Sequence, residues 1–474
     1  MQITLPGMIL LPLGIILFFI LPKYLYYLTI FFIPFSATSL LNSAAGAPFM
    51  ATQYFGTLFI LSGCLNIVRK GKIRLPQSTS HDKSILLMFL FMAVVILTIM
   101  MPIIIDGRIS TSTMMFKDIA VGYEKPLYFT FQNFKNTLPV IFGVLLAYLI
   151  VVTNSTPAMI AKTLKIYIFS ALFVSIWGII QYVCFVQQIE YPYFIFNTSI
   201  HDSVIESNTT TDIGNFNFLR IASVALEPSL LSQFLLTVVP IFLVLFAKSR
   251  IIYSPLKDRL VFSIILLVLL ISTSTAAYLG LLIIVLFFLI GSFINNIIKV
   301  RYPIIVGVLS LIVIFLFYEL NFTVRNYITE VIFNKSETSS VFERLYSITT
   351  AWTYFLEYPI LGLGWATVTS HDLFVNLLAN AGIIGFLSFF VMVLYIVSHS
   401  IRTAHSLDKK DVFKNEKLTI WLNSIIISFA AHLGISIFTE FTWYLPHFYF
   451  LLGMLIASNI TANQYLRNEP KYEY

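Results

Sequence analysis

The feature that most constrains this sequence is a series of apolar segments, each about 17 to 25 residues long, that recurs from one end of the chain to the other. A helix of that length crosses the roughly 30 Å hydrocarbon layer of a membrane and satisfies its own backbone hydrogen bonds. Charged residues make up only 11% of the 474 residues, against about 25% in an average soluble domain. The sequence therefore predicts an all-α polytopic membrane protein that forms one transmembrane domain over residues 1–474.

Thirteen predicted spans fit this pattern, and twelve or fourteen are also compatible with it. They cover residues 4–21, 24–41, 50–68, 85–105, 137–153, 166–186, 227–247, 260–274, 275–295, 303–319, 373–398, 419–439 and 447–460. Because the first segment has neither a basic leading region nor a clear small-residue cleavage site, we interpret it as a span of the mature protein.

Lysine and arginine are distributed unevenly among the connections between these spans. If the helices alternate in direction, 21 of the 29 basic residues lie on one face, and the positive-inside rule makes that face cytoplasmic. The other eight lie outside: Arg108, Lys117, Lys125, Lys135, Arg220, Arg325, Lys335 and Arg344. The net charge of +7 therefore indicates topology and contact with anionic membrane lipids rather than a nucleic-acid partner.

Three outer connections, 106–136, 187–226 and 320–372, are longer than the others, and long ordered loops are often functional. Residues 341–356 of the third loop predict an amphipathic helix that lies along the outer surface. Its apolar face carries Val341, Leu345, Ile348, Trp352 and Phe355. We therefore expect the site of activity on the outer face.

Several short motifs follow one another in a defined order. The C-terminal set comprises Arg344, the segment EYPILGLGW at 357–365, His371 with Asp372, and, after nine more residues, Gly382 and Gly385. Two earlier segments are RIASVALEPSLLSQFLL, which starts at Arg220, and STSTAAYLG at 272–280. In order and spacing these motifs resemble those of bacterial O-antigen and capsular polysaccharide polymerases (the Wzy family) and the related O-antigen ligases. Asp372 departs from the family pattern, which has an amide or hydroxyl residue there.

The resemblance implies a membrane glycosyltransferase with a GT-C-like architecture in the bacterial inner membrane, with the active site facing the periplasm. Its substrate would be an oligosaccharide repeat unit linked to undecaprenyl pyrophosphate. A polymerase of this kind joins repeat units with loss of the pyrophosphate lipid, and a polysaccharide chain-length regulator would be a partner. Because no cluster of acids or histidines at metal-ligand spacing occurs in the outer segments, we expect catalysis without a metal or other cofactor.

Such a reaction requires cations that hold the departing diphosphate and a base that activates the attacking hydroxyl. Arg344 and Arg220 are the candidate cations, because a guanidinium grips phosphate oxygens at two points. A surface ion pair for Arg344 and an interfacial anchor for Arg220 remain open, and for Arg325 an anchoring role is favoured.

His371 is the first candidate for the base, because its ordinary pKa of about 6.5 allows it to exchange protons near neutrality. His447, at another predicted outer helix start, is its rival. Glu227 is an alternative base, although a helix-capping role would explain it equally well.

The remaining candidates surround these groups. We expect Asp372 and Asn376, with Asn380, to form a polar stripe on an otherwise apolar span, where it must face protein or a wet cavity. Gly362 and Gly364 predict a turn that allows close approach of a ligand, and Gly382 and Gly385 predict close helix packing. Tyr278 and Trp365 are candidate substrate contacts with structural alternatives.

Two functions compete with the polymerase. An O-antigen ligase would transfer the lipid-linked glycan to lipid A core sugar, but the Arg…Glu-Pro-Ser segment resembles the polymerases. A lipid-linked oligosaccharide flippase or other transporter would have paired broken helices and often an internal repeat, which the sequence does not indicate. O-antigen for lipopolysaccharide, capsule and free exopolysaccharide all remain open as products.

Overall fold

The structure of the protein is a computed structural model. It describes residues 2–42, 48–70, 82–112, 124–199, 210–213, 216–295, 339–409, 416–439 and 442–468. The predicted span 303–319 and the candidate cations Lys117, Arg325 and Lys335 lie outside the described residues.

Helices make up most of the described chain. In order they are α1 (Leu5–Ile20), α2 (Lys23–Phe31), α3 (Ala51–Lys70), α4 (Lys83–Thr98), α5 (Met101–Ile105), α6 (Phe131–Thr153), α7 (Pro157–Val186), α8 (Tyr193–Phe196), α9 (Pro228–Ala247), α10 (Pro255–Ile271), α11 (Thr275–Asn295), α12 (Ser339–Glu357), α13 (Leu373–Lys409), α14 (Glu416–Ser436) and α15 (Pro446–Asn468). Within the described ranges, six helical segments are long and apolar enough to cross a membrane: α4 with α5, α6, α7, α9, α13 and α14. The prediction of a helical, multi-pass membrane protein is confirmed, and the number thirteen stays a prediction.

The predicted span 24–41 is wrong in its second half. Its helix, α2, has only 9 residues and a length of about 13 Å, too short to cross a membrane by itself. Pro34 follows, and a proline cannot donate the hydrogen bond that would continue the helix. The irregular backbone after α2 is buried in protein and finds partners there: Ala37 N–H donates to the Val224 carbonyl at 3.0 Å, and Thr38 Oγ1 donates to the Phe196 carbonyl at 2.6 Å.

Short antiparallel strands occupy the connections on one face. They are β1 (Gln2–Ile3), β2 (Ser39–Asn42), β3 (Phe49–Met50), β4 (Ser110–Ser112), β5 (Glu124–Pro126), β6 (Thr210–Ile213) and β7 (Phe216–Leu219). The pairs are β1 with β2, β2 with β3, β4 with β5, and β6 with β7. Because consecutive spans run in opposite directions, these strands and α12 lie on the same face, which is the predicted outer face.

Helix α9 lies at the centre of the bundle, where it packs against α10, α11 and α14. It is apolar on all sides and almost entirely buried, as expected for a helix with no solvent-exposed face. Ser232 on α9 hydrogen-bonds to Ser272 at the α10–α11 break, with 3.1 Å between the two Oγ atoms. This packing places the N-terminus of α9, with Glu227 immediately before it, at the predicted outer face.

Candidate active site

Helix α12 is the amphipathic helix that the sequence predicts, and two of its faces differ in what they contact. Ser347, Ala351 and Tyr354 are buried against the body of the protein. Leu345 and Trp352, from the predicted apolar face, are 59% and 44% exposed. A helix with its apolar side directed away from the protein body is typical of one that lies in the membrane interface.

His371 is held by the buried face of α12. Its Nδ1 lies 2.9 Å from Ser347 Oγ, and its backbone N–H donates to the same oxygen at 3.4 Å. Ser347 Oγ donates in turn to the Arg344 carbonyl at 2.8 Å. A serine hydroxyl has one proton and two lone pairs. Because Ser347 donates its proton to the Arg344 carbonyl, its oxygen accepts a hydrogen bond from His371 Nδ1–H. This network favours the imidazole tautomer that leaves Nε2 unprotonated.

The environment of His371 also keeps its ring neutral. Partial burial, which disfavours the charged form, and the positive charge of Arg344 together lower the pKa of His371 to about 4. At neutral pH the ring is therefore uncharged, and Nε2 can accept a proton or a hydrogen bond.

Arg344 bridges α12 and the end of α14. Its Nη1 donates to the Phe438 carbonyl at 3.3 Å, just beyond the last residue of α14. His432 on α14 and His447 on α15 are both buried, and their ring centroids lie 4.8 Å apart. His447, the rival base, is only 3% exposed and lies in the packed bundle, whereas His371 is partly exposed.

Asp372 caps the helix that follows it. Its Oδ1 accepts a hydrogen bond from the Val375 N–H at 2.7 Å, and α13 begins at Leu373. Asparagine, serine and threonine fill the same capping position as aspartate. The departure from the amide or hydroxyl pattern therefore has a structural explanation at Asp372.

The polar stripe that continues along α13 faces protein. Asn380 is 1% exposed, and its Oδ1 accepts from the N–H groups of Thr367 and Val368, each at 2.9 Å. Asn376 Nδ2 donates to the Ser370 carbonyl at 3.4 Å. The two asparagines therefore fix the loop that leads to His371.

Gly382 interrupts α13 with φ 62° and ψ −168°, backbone angles that favour glycine. A Cβ there would lie 2.3 Å from the Ile360 carbonyl carbon and oxygen. The loop before the break docks into it, because Ile383 N–H donates to the Pro359 carbonyl at 2.8 Å. Gly385 leaves no room for a side chain either, because a Cβ would lie 2.2 Å from the Cβ of the alanine four residues earlier.

Gly362 and Gly364 form the other side of this interlock. Both have positive φ, 66° and 108°, and a Cβ on Gly362 would lie 2.5 Å from the Ala379 carbonyl oxygen. The same carbonyl accepts from Leu363 N–H at 2.8 Å. The glycines of the two motifs thus allow one backbone to pack directly on the other, and together these contacts fix the approach to His371.

Hydrogen bonds from its backbone to Gln181 hold the segment that starts at Arg220 in place. Ala222 and Ser223 both donate their N–H groups to Gln181 Oε1, at 3.1 and 2.8 Å. Arg220 itself is half-buried, and within the described chain its buried Nε has no hydrogen-bond partner. A buried donor of this kind is costly to leave unsatisfied.

Glu227 takes the N-cap position of α9, and Pro228 occupies the first turn. Its side chain forms no capping hydrogen bond to the helix backbone. The carboxylate instead accepts from Ser229 Oγ at 3.1 Å. The position of Glu227 at the helix N-terminus stabilises the negative charge of its carboxylate.

Two further candidates have structural contacts. Tyr278 donates its hydroxyl to the Leu270 carbonyl at 3.0 Å, across the α10–α11 break. Trp365 is 3% exposed and packs edge-on against Trp443, with 5.4 Å between ring centroids. The structure thus brings Arg344, His371 and Asp372 together, and it places Trp365 in the core.

The central part of the chain matches a known protein family. A family model described as O-antigen ligase matches residues 260–390. Residues 260–390, less than half of the chain, are thus similar to the O-antigen ligase family. A search of curated proteins found no match to the chain.

The matched stretch covers most of α10, all of α11 and α12, and the first part of α13. It therefore contains the interlocked glycines and Tyr278, Arg344, Ser347 and His371, whereas Arg220 and Glu227 precede it. The match confirms the predicted relation to O-antigen ligases and polymerases, and it supports a multi-pass membrane enzyme that processes lipid-linked glycans.

Two contacts of the candidate site, those of Ser347 and Gln181, were not predicted from the sequence. Ser347 lies three residues after Arg344. The only sequence feature that could have identified it is a polar residue away from the apolar face of an amphipathic helix. Gln181 lies in an apolar run far from Arg220 in sequence, and only the fold brings it to the backbone of that segment.

Proposed function

We propose that this protein is a polysaccharide polymerase that joins oligosaccharide repeat units carried on undecaprenyl pyrophosphate, at the periplasmic face of the bacterial inner membrane. The observation that carries the proposal is the bonded set of Arg344, Ser347 and His371 within a domain of the O-antigen ligase family. It combines a cation with a neutral imidazole, and both side chains are partly buried.

In this proposal His371 is the general base. Nε2 takes the proton of the acceptor hydroxyl as the hydroxyl oxygen bonds to the anomeric carbon of the donor sugar. The bond from that carbon to the diphosphate oxygen breaks, and the diphosphate lipid leaves with the electron pair. Ser347 acts as a positioning residue, because it orients the ring through Nδ1.

The diphosphate is assigned to the two guanidinium groups. Arg344 lies beside the end of α14, and Arg220 precedes the N-terminus of α9. Helices α9 and α14 pack against each other. The N-terminus of α9 and the C-terminus of α14, and with them the two arginines, therefore belong to the same face of the bundle. Two cations stabilise the charge that develops on the leaving oxygen.

The Glu-Pro-Ser segment at the start of α9 favours a polymerase over a ligase by resemblance. Glu227 lies at a helix N-terminus on the proposed outer face, where it can accept hydrogen bonds from acceptor hydroxyls. An O-antigen ligase uses the same donor chemistry with lipid A core as acceptor, and it is the alternative that the following test separates.

The experiment uses purified full-length protein in nanodiscs with lipid-linked repeat units extracted from the producing strain. We expect a ladder of products that grows by one repeat unit per step, separated by gel electrophoresis. A parallel reaction also contains lipid A core, and transfer of a single glycan to it without any ladder would establish the ligase instead. The same protein is also placed in sealed proteoliposomes, where movement of the lipid-linked glycan across the membrane without a new glycosidic bond would establish the transporter.

A further inference from the structure

A polar groove of about 470 Å³ lies along α12, and Tyr346, the residue before Ser347, is part of its lining. The proposed mechanism makes no use of this groove. Its volume falls within the roughly 300–1,000 Å³ of small-molecule sites. The lining residues are Arg108, Ile109, Ser110, Tyr346, Thr350, Thr353, Tyr354 and Glu357. It lies between one face of α12 and the chain around β4.

The walls of the groove are fixed to one another. Tyr354 donates its hydroxyl to the Ser110 carbonyl at 3.1 Å, which ties α12 to β4. The β4–β5 ladder continues through Leu127 N–H, which donates to the Ile109 carbonyl at 2.8 Å. Beneath them is a separate apolar cluster of Met101, Ile105, Leu127, Ala351, Tyr354, Leu363, Val368 and Ala379. The groove is therefore preorganised by packing.

The lining has the chemistry of a sugar-binding surface. Hydroxyl groups come from Ser110, Thr350 and Thr353, and the partly exposed ring of Tyr346 offers a flat apolar surface next to its own hydroxyl. Arg108 supplies donors and Glu357 supplies acceptors, so the two charges nearly cancel. Such a surface suits a hydroxyl-rich neutral ligand better than a diphosphate, which requires a surplus of cations.

The groove also has a defined position relative to the reacting groups. Tyr346 is adjacent to Ser347, which hydrogen-bonds to His371, and it follows Arg344 by two residues on the same helix. A ligand that lies along this face of α12 therefore reaches the residue that precedes Ser347. The cation that would hold the diphosphate is at the same end.

We propose that this groove binds the sugars of the acceptor repeat unit and directs one hydroxyl towards His371. The inference rests on the proposed function, because it assigns the acceptor to the same site. It also identifies Arg108 and Glu357 as residues that determine acceptor affinity, whereas Arg344 and Arg220 bind the donor.

The test measures acceptor and donor separately on the full-length protein in nanodiscs. The probe is the repeat-unit oligosaccharide released by mild acid from the strain's own lipid carrier, and its binding is followed by saturation-transfer NMR. In parallel, the KM for acceptor is measured in the elongation assay. The variants are Glu357→Gln and Arg108→Gln, and the matched controls are Glu190→Gln, an exposed acid away from the groove, and Thr349→Ala, on another face of α12.

We expect each groove variant to raise the acceptor KM by about 5- to 10-fold, the loss expected for one partly exposed charge-assisted hydrogen bond. The kcat and the KM for donor should stay unchanged, and the NMR signal should weaken in the same variants. If the wild-type protein elongates repeats while both groove variants behave like the controls, the inference is wrong and the proposed function stands. If the wild-type protein does not elongate repeats, the proposed function fails, and the NMR comparison alone decides whether the groove binds the oligosaccharide.

Discussion

The region around His371 and the segment that starts at Arg220 hold their polar groups in opposite ways. Around His371, the contacts form a continuous set through Ser347 to Arg344. Around Arg220, the backbone is firmly bonded to Gln181, whereas the buried guanidinium Nε has no hydrogen-bond partner within the described residues. In the first region the side chains have fixed geometry, whereas the second contains a buried donor without a partner among the described residues. The proposed mechanism assigns a proton transfer to the first region and ligand binding to the second.

Substitution of His371 should have the largest effect on activity. We expect His371→Ala to lower kcat by about 10²- to 10⁴-fold, the range for loss of a general base. The control is His405→Ala, because His405 is an exposed histidine near the C-terminal end of α13, the helix that His371 precedes. Equal loss in both variants, measured in the elongation assay, would remove His371 from the mechanism.

Arg220→Gln tests the other region. If a diphosphate oxygen satisfies the guanidinium, this variant should raise the KM for donor by about 10- to 100-fold, the value of a charge-assisted hydrogen bond to a charged group. Lys125→Gln, at an exposed cation in β5, should leave the donor KM unchanged. An unchanged donor KM in Arg220→Gln would show that Arg220 is an interfacial anchor.

Ser347→Ala separates positioning from catalysis. Loss of the Ser347 contact frees the tautomer and orientation of His371, so we expect kcat to fall by about tenfold, as for one buried hydrogen bond, with little change in either KM. Ser347→Thr, which retains the hydroxyl, should restore most of the rate. Failure of threonine to restore it in a correctly folded variant would argue against the tautomer assignment.

The pH dependence should follow the lowered pKa of His371. Because burial and then the Arg344 charge hold this pKa at about 4, the base is neutral above that value, and kcat/KM should decline only as the pH falls through it. Arg344→Gln removes the second cause and should move this acidic limb towards higher pH, nearer the ordinary value of about 6.5. A limb near 6.5 in the wild-type protein would contradict the structural environment.

Asp372→Asn should have the smallest effect. Asparagine caps helices as well as aspartate does, so activity should remain within about twofold of wild type if Asp372 acts only through α13. Asp372→Leu, which cannot cap, should lower the melting temperature. A large loss of activity in Asp372→Asn without loss of stability would show that the carboxylate contacts substrate.

The spans could be predicted because hydropathy is a local property. The bounds of α1, α9 and α11 lie within a residue or so of predictions made from apolar runs alone. The second half of the span 24–41 could not be predicted, because its irregular backbone is satisfied by Val224 and Phe196, which are distant in sequence.

The motif residues show the same division. Histidine and arginine could be selected by chemical type, but sequence could not decide between His371 and His447, since both precede or begin outer helices. Packing favours His371 as the candidate base, because His447 is enclosed in the bundle, whereas His371 is bonded to Ser347 and is partly exposed.

The sequence by itself determined a helical, multi-pass membrane protein, its relation to the O-antigen ligases and polymerases, and the residue types available for chemistry. These depend on composition, periodicity and short motifs, which are read along the chain. Tertiary structure alone decided that the two glycine motifs interlock at Gly382, that Trp365 is buried, and which partner orients His371. Each of those contacts joins groups well separated along the chain, so no local pattern records it.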